Sequence, residues 1–294
     1  MIEVKKWDRN NSHQNISKIL ESTLCTTERG YYMKNRKRIY LPLSKEQMQA
    51  SCVYLPMDVY DNMDLYKLKR KNQEGKWCKI YTKNMDTLEA AEKMHKAYPN
   101  KKTIVLSFCN PIEQGGGVRR GAVAQEESIA LRTSLLLSLE NETSNQFYDV
   151  NKNAKPIFAA TDSCILSEVV VFKDKHYTYL DEPYVVSVIS SAPPFVSPCS
   201  HLLEGYSQVD MEKLLYQRIA GIITTLIVNG YRNMVLGAWG CGCFGNDARI
   251  IAKIFSQIFK RINVDLYFDE ICFAILTKGD NTYNLDAFKH YFPE

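Results

Sequence analysis

Apolar positions recur in two distinct rhythms along the chain, and the change of rhythm falls near Trp77. Before it, Ile16, Ile19, Leu20 and Leu24 fall at helical spacing within Ser12–Thr27, and Ser44 stands where a cap would open a second helical stretch. After it, short apolar runs alternate with longer amphipathic ones. Ile80–Asn84, Thr103–Phe108, Tyr184–Ser190, Asn233–Leu236 and Glu270–Leu276 predict strands, with shorter ones at Pro156–Ala159 and Val169–Phe172. Asp86–Tyr98, Gln125 to about Glu140, Asp210–Val228, Asp247–Arg261 and Leu285–Tyr291 predict helices, and Gly230 closes the third of these. Strands and helices in alternation predict a three-layer α/β/α sandwich around a largely parallel sheet, with ligand loops at the carboxyl ends of the strands. Residues 1–75 predict a mostly helical extension packed on a core domain spanning 76–294.

The 294 residues are enough for a sizeable core, and 45% hydrophobic with 24% charged residues is an ordinary globular composition. The net charge of +4 does not call for nucleic acid but is compatible with an anionic ligand. Nine cysteines lack paired Cys-x-x-Cys spacing, so neither a zinc site nor any other metal is expected. No signal core or membrane span of ~18 apolar residues is evident, which suggests an intracellular, cytoplasmic setting. Two basic clusters, Lys34–Arg38 and Lys67–Lys71, could hold a polyanionic polymer, serve as import signals or simply face water.

Candidate chemistry concentrates in Asn110–Glu127. There a strand feeds a loop with glycines at 115, 116, 117 and 121, and Gln125-Glu126-Glu127 opens the next helix. Such glycines let backbone amides approach a ligand closely, and amides near a helix start suit a diphosphate. Adjacent glutamates leave a helix about 100° apart. One alone should therefore point straight at a scissile bond, giving the two different roles; acidic residues are also simply favoured in a first turn. Asn110 could contact a ligand or form a turn before Pro111. Arg119 and Arg120 could pair with phosphate or face solvent.

Gly115-Gly116-Gly117, seven residues, then Gln125-Glu126-Glu127 resembles the signature of poly(ADP-ribose) glycohydrolases. Leu236–Asp247 (Leu-Gly-Ala-Trp-Gly-Cys-Gly-Cys-Phe-Gly-Asn-Asp) resembles that family's second ligand loop. Val169–Phe172 and Pro183–Pro193 are closer to its microbial type, and the resemblance is strongest from about residue 80 onward. It implies a macrodomain-like fold with a mixed sheet. It implies Glu127 as the acid/base, Glu126 as the group that binds a ribose hydroxyl, and Gln125 as a residue that fixes their geometry. The expected substrate contacts are Asn110, Gly115, Gly116, Gly117 and Val118 in the first loop, and Gly240, Cys241, Gly242, Cys243, Phe244, Gly245 and Asn246 in the second. Phe195 or Tyr206 is a candidate for stacking on adenine. The expected partner is an ADP-ribose polymer or an ADP-ribosylated macromolecule, handled by a monomer without cofactor. A hydrolase of single ADP-ribose units and a non-catalytic ADP-ribose reader are the alternatives. The chain lacks a Gly-Lys-Ser/Thr phosphate loop and a Gly-x-Gly-x-x-Gly fingerprint.

Overall fold

The computed structural model describes residues 9–68, 77–154, 160–196, 207–277 and 279–294. The expected strand at 156–159 lies outside the described residues, as do Cys199, Tyr206 and most of the second basic cluster. In chain order the elements are α1 (Arg9–Arg29), β1 (Tyr31–Lys34), β2 (Lys37–Tyr40), α2 (Lys45–Gln49), β3 (Ser51–Tyr54) and α3 (Pro56–Leu65). There follow β4 (Lys79–Lys83), α4 (Thr87–Ala97), β5 (Thr103–Phe108), α5 (Gln125–Arg132), α6 (Leu135–Leu139) and α7 (Glu142–Lys152). The rest comprises β6 (Cys164–Lys173), β7 (Tyr179–Ser191), α8 (Gln208–Val228), β8 (Asn233–Leu236), α9 (Ala248–Ile262), β9 (Glu270–Ala274) and α10 (Tyr283–Tyr291).

Seven strands form one sheet in the order β3-β6-β7-β5-β8-β9-β4. The five from β7 to β4 pair in parallel, and β6 runs antiparallel to both of its neighbours. β5 lies at the middle because helices cover both of its faces, as a continuous Thr-Ile-Val-Leu-Ser-Phe run requires. Ile104 and Leu106 join the core under α3, α8, α9 and α10, while Val105 joins the opposite core with residues of α4, α5 and α7. β8 pairs directly with β5, so the two glycine-rich segments leave neighbouring strands at the same end of the sheet.

Two features differ from the sequence-based expectation. The helix beginning at Gln125 stops at Arg132, because Thr133 and Ser134 turn away to β6. Thr133 takes extended backbone and bridges Val171, its hydroxyl bonds to the Ile129 carbonyl, and Ser134 exchanges hydrogen bonds with Val170. Secondly, the N-terminal region, mostly helical in α1, α2 and α3, also carries three short strands. β1 and β2 form a hairpin, and β3 pairs antiparallel with β6 as an edge strand of the main sheet. Four-residue strands are too short to display a period of two. α3 seals the same layer: Val59 is buried in the core, and a methyl group on Gly221 would lie 2.4 Å from it. Among the described residues no helix is long and apolar enough to cross a membrane.

Candidate active site

α5 begins without a capping side chain, since its N-cap is Ala124. Glu127, in the first helical turn, fills that role by reaching back: its Oε2 accepts from the Ala124 amide at 3.0 Å. Its Oε1 accepts from the Gly117 amide at 2.9 Å, so a single carboxylate ties the glycine loop to the helix start. Gln125 fastens the same turn to the sheet. Its Oε1 accepts from the Phe108 amide at 2.9 Å, and its Nε2 donates to the Leu106 carbonyl at 2.8 Å and to Thr87. Gln125 thus continues the hydrogen bonding of β5 past its last residues, and its amide is committed to the backbone.

Glu126 is 3% exposed. Its Oε2 accepts from the Asn110 amide at 2.8 Å, while Oε1 has no partner among the described residues. Burial pushes its carboxyl well above the usual carboxylate range; the charges of Glu127 and Glu113 add to this, and the Asn110 and Gly115 amides oppose it. The two glutamates do not diverge as their positions on the helix suggest. A methyl group on Gly116 would lie 2.8 Å from Oε2 of Glu126 and 2.6 Å from Oε1 of Glu127. Both flexible side chains bend toward one backbone position, which the roughly 100° between their Cα–Cβ bonds does not forbid.

The loop takes its shape from glycine. Gly115, Gly116 and Gly121 have φ of +67°, +60° and +77°, in the left-handed region. Asn110 supplies its entry: Oδ1 accepts from the amides of Ile112 and Glu113, which is the turn role, and among the described residues its Nδ2 is not engaged. Val118 turns its side chain into a cluster with Leu20 of α1 and Ala130, Leu131 and Leu136. It therefore offers a ligand only its backbone. Arg119 and Arg120 are exposed and pair with Glu140 and Glu113, so both guanidinium groups are engaged at the surface.

The second loop is stitched to the segment after β7. Trp239, fully buried, donates from Nε1 to the Ser191 carbonyl, and Asn246 donates from Nδ2 to the carbonyls of Pro194 and Gly240. The Val196 amide donates to the Phe244 carbonyl at 2.8 Å. Asn246 is thus a buried clamp, and a methyl group on Gly240 would lie 2.5 Å from its Nδ2. Gly240 and Gly245 both have φ of +76°, and Gly242 is exposed at the turn between them. Asp247 caps α9 through the Arg249 amide, placing a helix N-terminus directly behind the loop. Phe244 and Phe195 are half-buried and meet edge to face at 5.2 Å, one on each side of the seam.

Burial pushes the Cys241 thiol up, away from the thiolate a nucleophile needs, whereas Cys243 is exposed. Among the described residues no group of three His, Cys, Asp or Glu side chains is arranged to hold a metal. Sequence reasoning missed the support beneath residues 191–196. Arg218 of α8, 2% exposed, donates to the Ala192 carbonyl and pairs with Asp162. Pro193-Pro194 after an apolar strand was the available signal of a rigid segment. Nothing in the helical pattern of α8 marked Arg218.

The family described as microbial-type PARG, catalytic domain, matches residues 21–174, just over half of the chain. No curated protein sequence matches. Among solved structures, poly(ADP-ribose) glycohydrolase (PARG) from Thermomonospora curvata is 25% identical, with a TM-score of 0.83 over 95% of this chain and 100% of that one. The same bacterial enzyme bound to the inhibitor ADP-HPD has 25% identity, the same coverage and a TM-score of 0.81. The PARG of Deinococcus radiodurans in complex with ADP-ribose shares the fold at 23% identity, covering 86% of this chain and 98% of that one with a TM-score of 0.74. The first glycine loop and the paired glutamates lie within a family match that runs from α1 through β6, and the chain belongs to the microbial-type PARG catalytic-domain family.

Proposed function

We propose that this protein hydrolyses the ribose–ribose O-glycosidic bonds of poly(ADP-ribose) and releases ADP-ribose. The observation that carries this is the convergence of Glu126 and Glu127 on Gly116, at the mouth of a loop whose Asn110 and Gly117 amides hold one carboxylate each. Glycoside hydrolysis needs an acid for the leaving oxygen and a base for the water, across an oxocarbenium-like state. Glu127 serves as both. As the acid it protonates the leaving ribose oxygen while the glycosidic C–O bond breaks; as the carboxylate it then takes a proton from the water that adds to the anomeric carbon. Glu126, with one oxygen on the Asn110 amide and the other unengaged among the described residues, accepts from a ribose hydroxyl beside that bond. The amides of the second loop and the start of α9 receive the diphosphate, and Phe244 packs on the distal ribose. The cysteines among the described residues are all unpaired, which fits a reducing intracellular setting.

The test is release of ADP-ribose from purified polymer and from mono-ADP-ribosylated protein, by wild type and by Glu127→Gln. The expected result is polymer cleavage by wild type, and a fall of roughly 10²–10⁴-fold in kcat for a variant that still binds ADP-ribose. Clearance of single units with the polymer left intact would replace this reading with a mono-ADP-ribosyl hydrolase. Binding of ADP-ribose without cleavage of either would make the protein a reader.

A further inference from the structure

The β1–β2 hairpin carries a feature that the active site does not use. Its ten residues, Tyr31–Tyr40, contain four cations and no acidic residue. Lys34 is anchored to Asp181 at 2.8 Å, while Arg36, Lys37 and Arg38 have no carboxylate partner among the described residues. The pairing register places Tyr31 opposite Tyr40 and Met33 opposite Arg38. Alternation along the strands then puts these four on one face, with Tyr32 buried on the other. The outer face is open: Tyr40 is 64% exposed and Met33 54%. The Arg38 guanidinium lies 4.4 Å from the centre of the Tyr31 ring and bonds to the Tyr40 hydroxyl.

The turn is the second observation. Asn35 and Arg36 form a two-residue loop with φ of +50° and +62°. Tight hairpins of this kind favour glycine at the second position, yet here an arginine is held in the left-handed region at the tip. A residue kept in unfavourable backbone geometry points to a use for its side chain. A rigid platform with cations beside aromatic faces suits a flexible polyanion whose units carry both charge and a flat base.

We propose that this hairpin is a secondary docking site for the ADP-ribose polymer, holding a part of the chain remote from the bond being cut; the proposal rests on the glycohydrolase reading above. Asp181, beside the hairpin, is ten residues of β7 from Ser191, at the end of the sheet where the glycine loops emerge. At about 3.3 Å per residue that separation is about 30 Å. Only a chain of several units spans it, so the site favours long polymer over short.

The experiment compares wild type with the Arg36→Gly, Lys37→Gln, Arg38→Gln triple variant on long polymer and on a two-unit oligomer over a range of salt. The expected result is a roughly tenfold rise in KM for long polymer at low salt. The dependence of log affinity on log salt should become shallower by about 2, at about 0.7 per lost cation on a single strand. The kcat, the two-unit KM and ADP-ribose affinity stay unchanged, and Arg36→Gly alone keeps or raises Tm because glycine suits the turn. Full cleavage by the triple variant with an unaltered long-chain KM and salt slope would overturn the docking site while leaving the glycohydrolase reading intact. Failure of wild type to cleave polymer of any length would overturn both. Hairpin-dependent binding of single-stranded DNA as tight as that of polymer would overturn the proposal in favour of a nucleic-acid surface.

Discussion

Gly116 faces the carboxylate of Glu127 so closely that an added Cβ would lie 2.6 Å from Oε1. The φ of +60° at this position adds backbone strain of about 1–2 kcal/mol for any L side chain. Gly116→Ala is therefore expected to lower Tm modestly and to lower kcat by two orders of magnitude or more, because Glu127 must leave the Gly117 and Ala124 amides to make room. Gly242 is the control for folding: it is exposed, a Cβ there meets nothing within 4 Å, and Gly242→Ala should keep the wild-type Tm. Equal losses of Tm at the two positions would contradict the account of the first loop.

Glu126 gives a pH-dependent prediction. Burial raises its carboxyl above the ordinary value of 4.5, so the folded chain holds a proton that the unfolded chain releases. The stability tied to this proton is fully present below the unfolded pKa and is lost as pH rises through the folded one. Glu126→Gln keeps an acceptor for the Asn110 amide and carries no charge to bury. Its Tm should exceed that of wild type at pH 8, with the difference closing as pH falls toward 4.5, even though activity drops. A Tm difference that stays constant across this range would show that Glu126 is not the group responsible.

The strands β5 and β8, the cap Ser44 and the helix starts at Asp86 and Asp247 were legible because each rests on local chemistry: an unbroken apolar run or an oxygen placed before a helix. The glutamate pair was legible as a motif, but its convergence on Gly116 was not, since side-chain torsions are chosen by the loop that closes over them. The break at Thr133 and the edge strand β3 depend on hydrogen bonds to β6, more than thirty residues from Ser134 and more than a hundred from Cys52. No short window contains such information. Val118 and Asn246 lay within recognised loops, yet their side chains face inward to fix those loops rather than a ligand.

Arg218 supports the prediction that bears on the second loop. Its guanidinium is buried between Asp162, at 3.4 Å from Nε, and the Ala192 carbonyl, at 3.2 Å from Nη1. Asp162 also accepts from the Tyr60 hydroxyl and the Gln217 amide. Arg218→Met leaves that carboxylate buried without its cation and should destabilise the fold by about 3–5 kcal/mol in chemical denaturation. Adding Asp162→Leu removes the stranded charge and should recover much of the loss, so the double variant is more stable than the sum of the singles predicts. The Ala192 carbonyl stays without its donor in both variants, and the segment that positions Phe195 and receives Asn246 loses its brace. The stability rescue should therefore not restore binding: KM stays raised in the double variant while kcat returns toward wild type. Strict additivity of the two substitutions, or a KM that recovers together with Tm, would mean that Arg218 acts only through the ion pair and not through the loop.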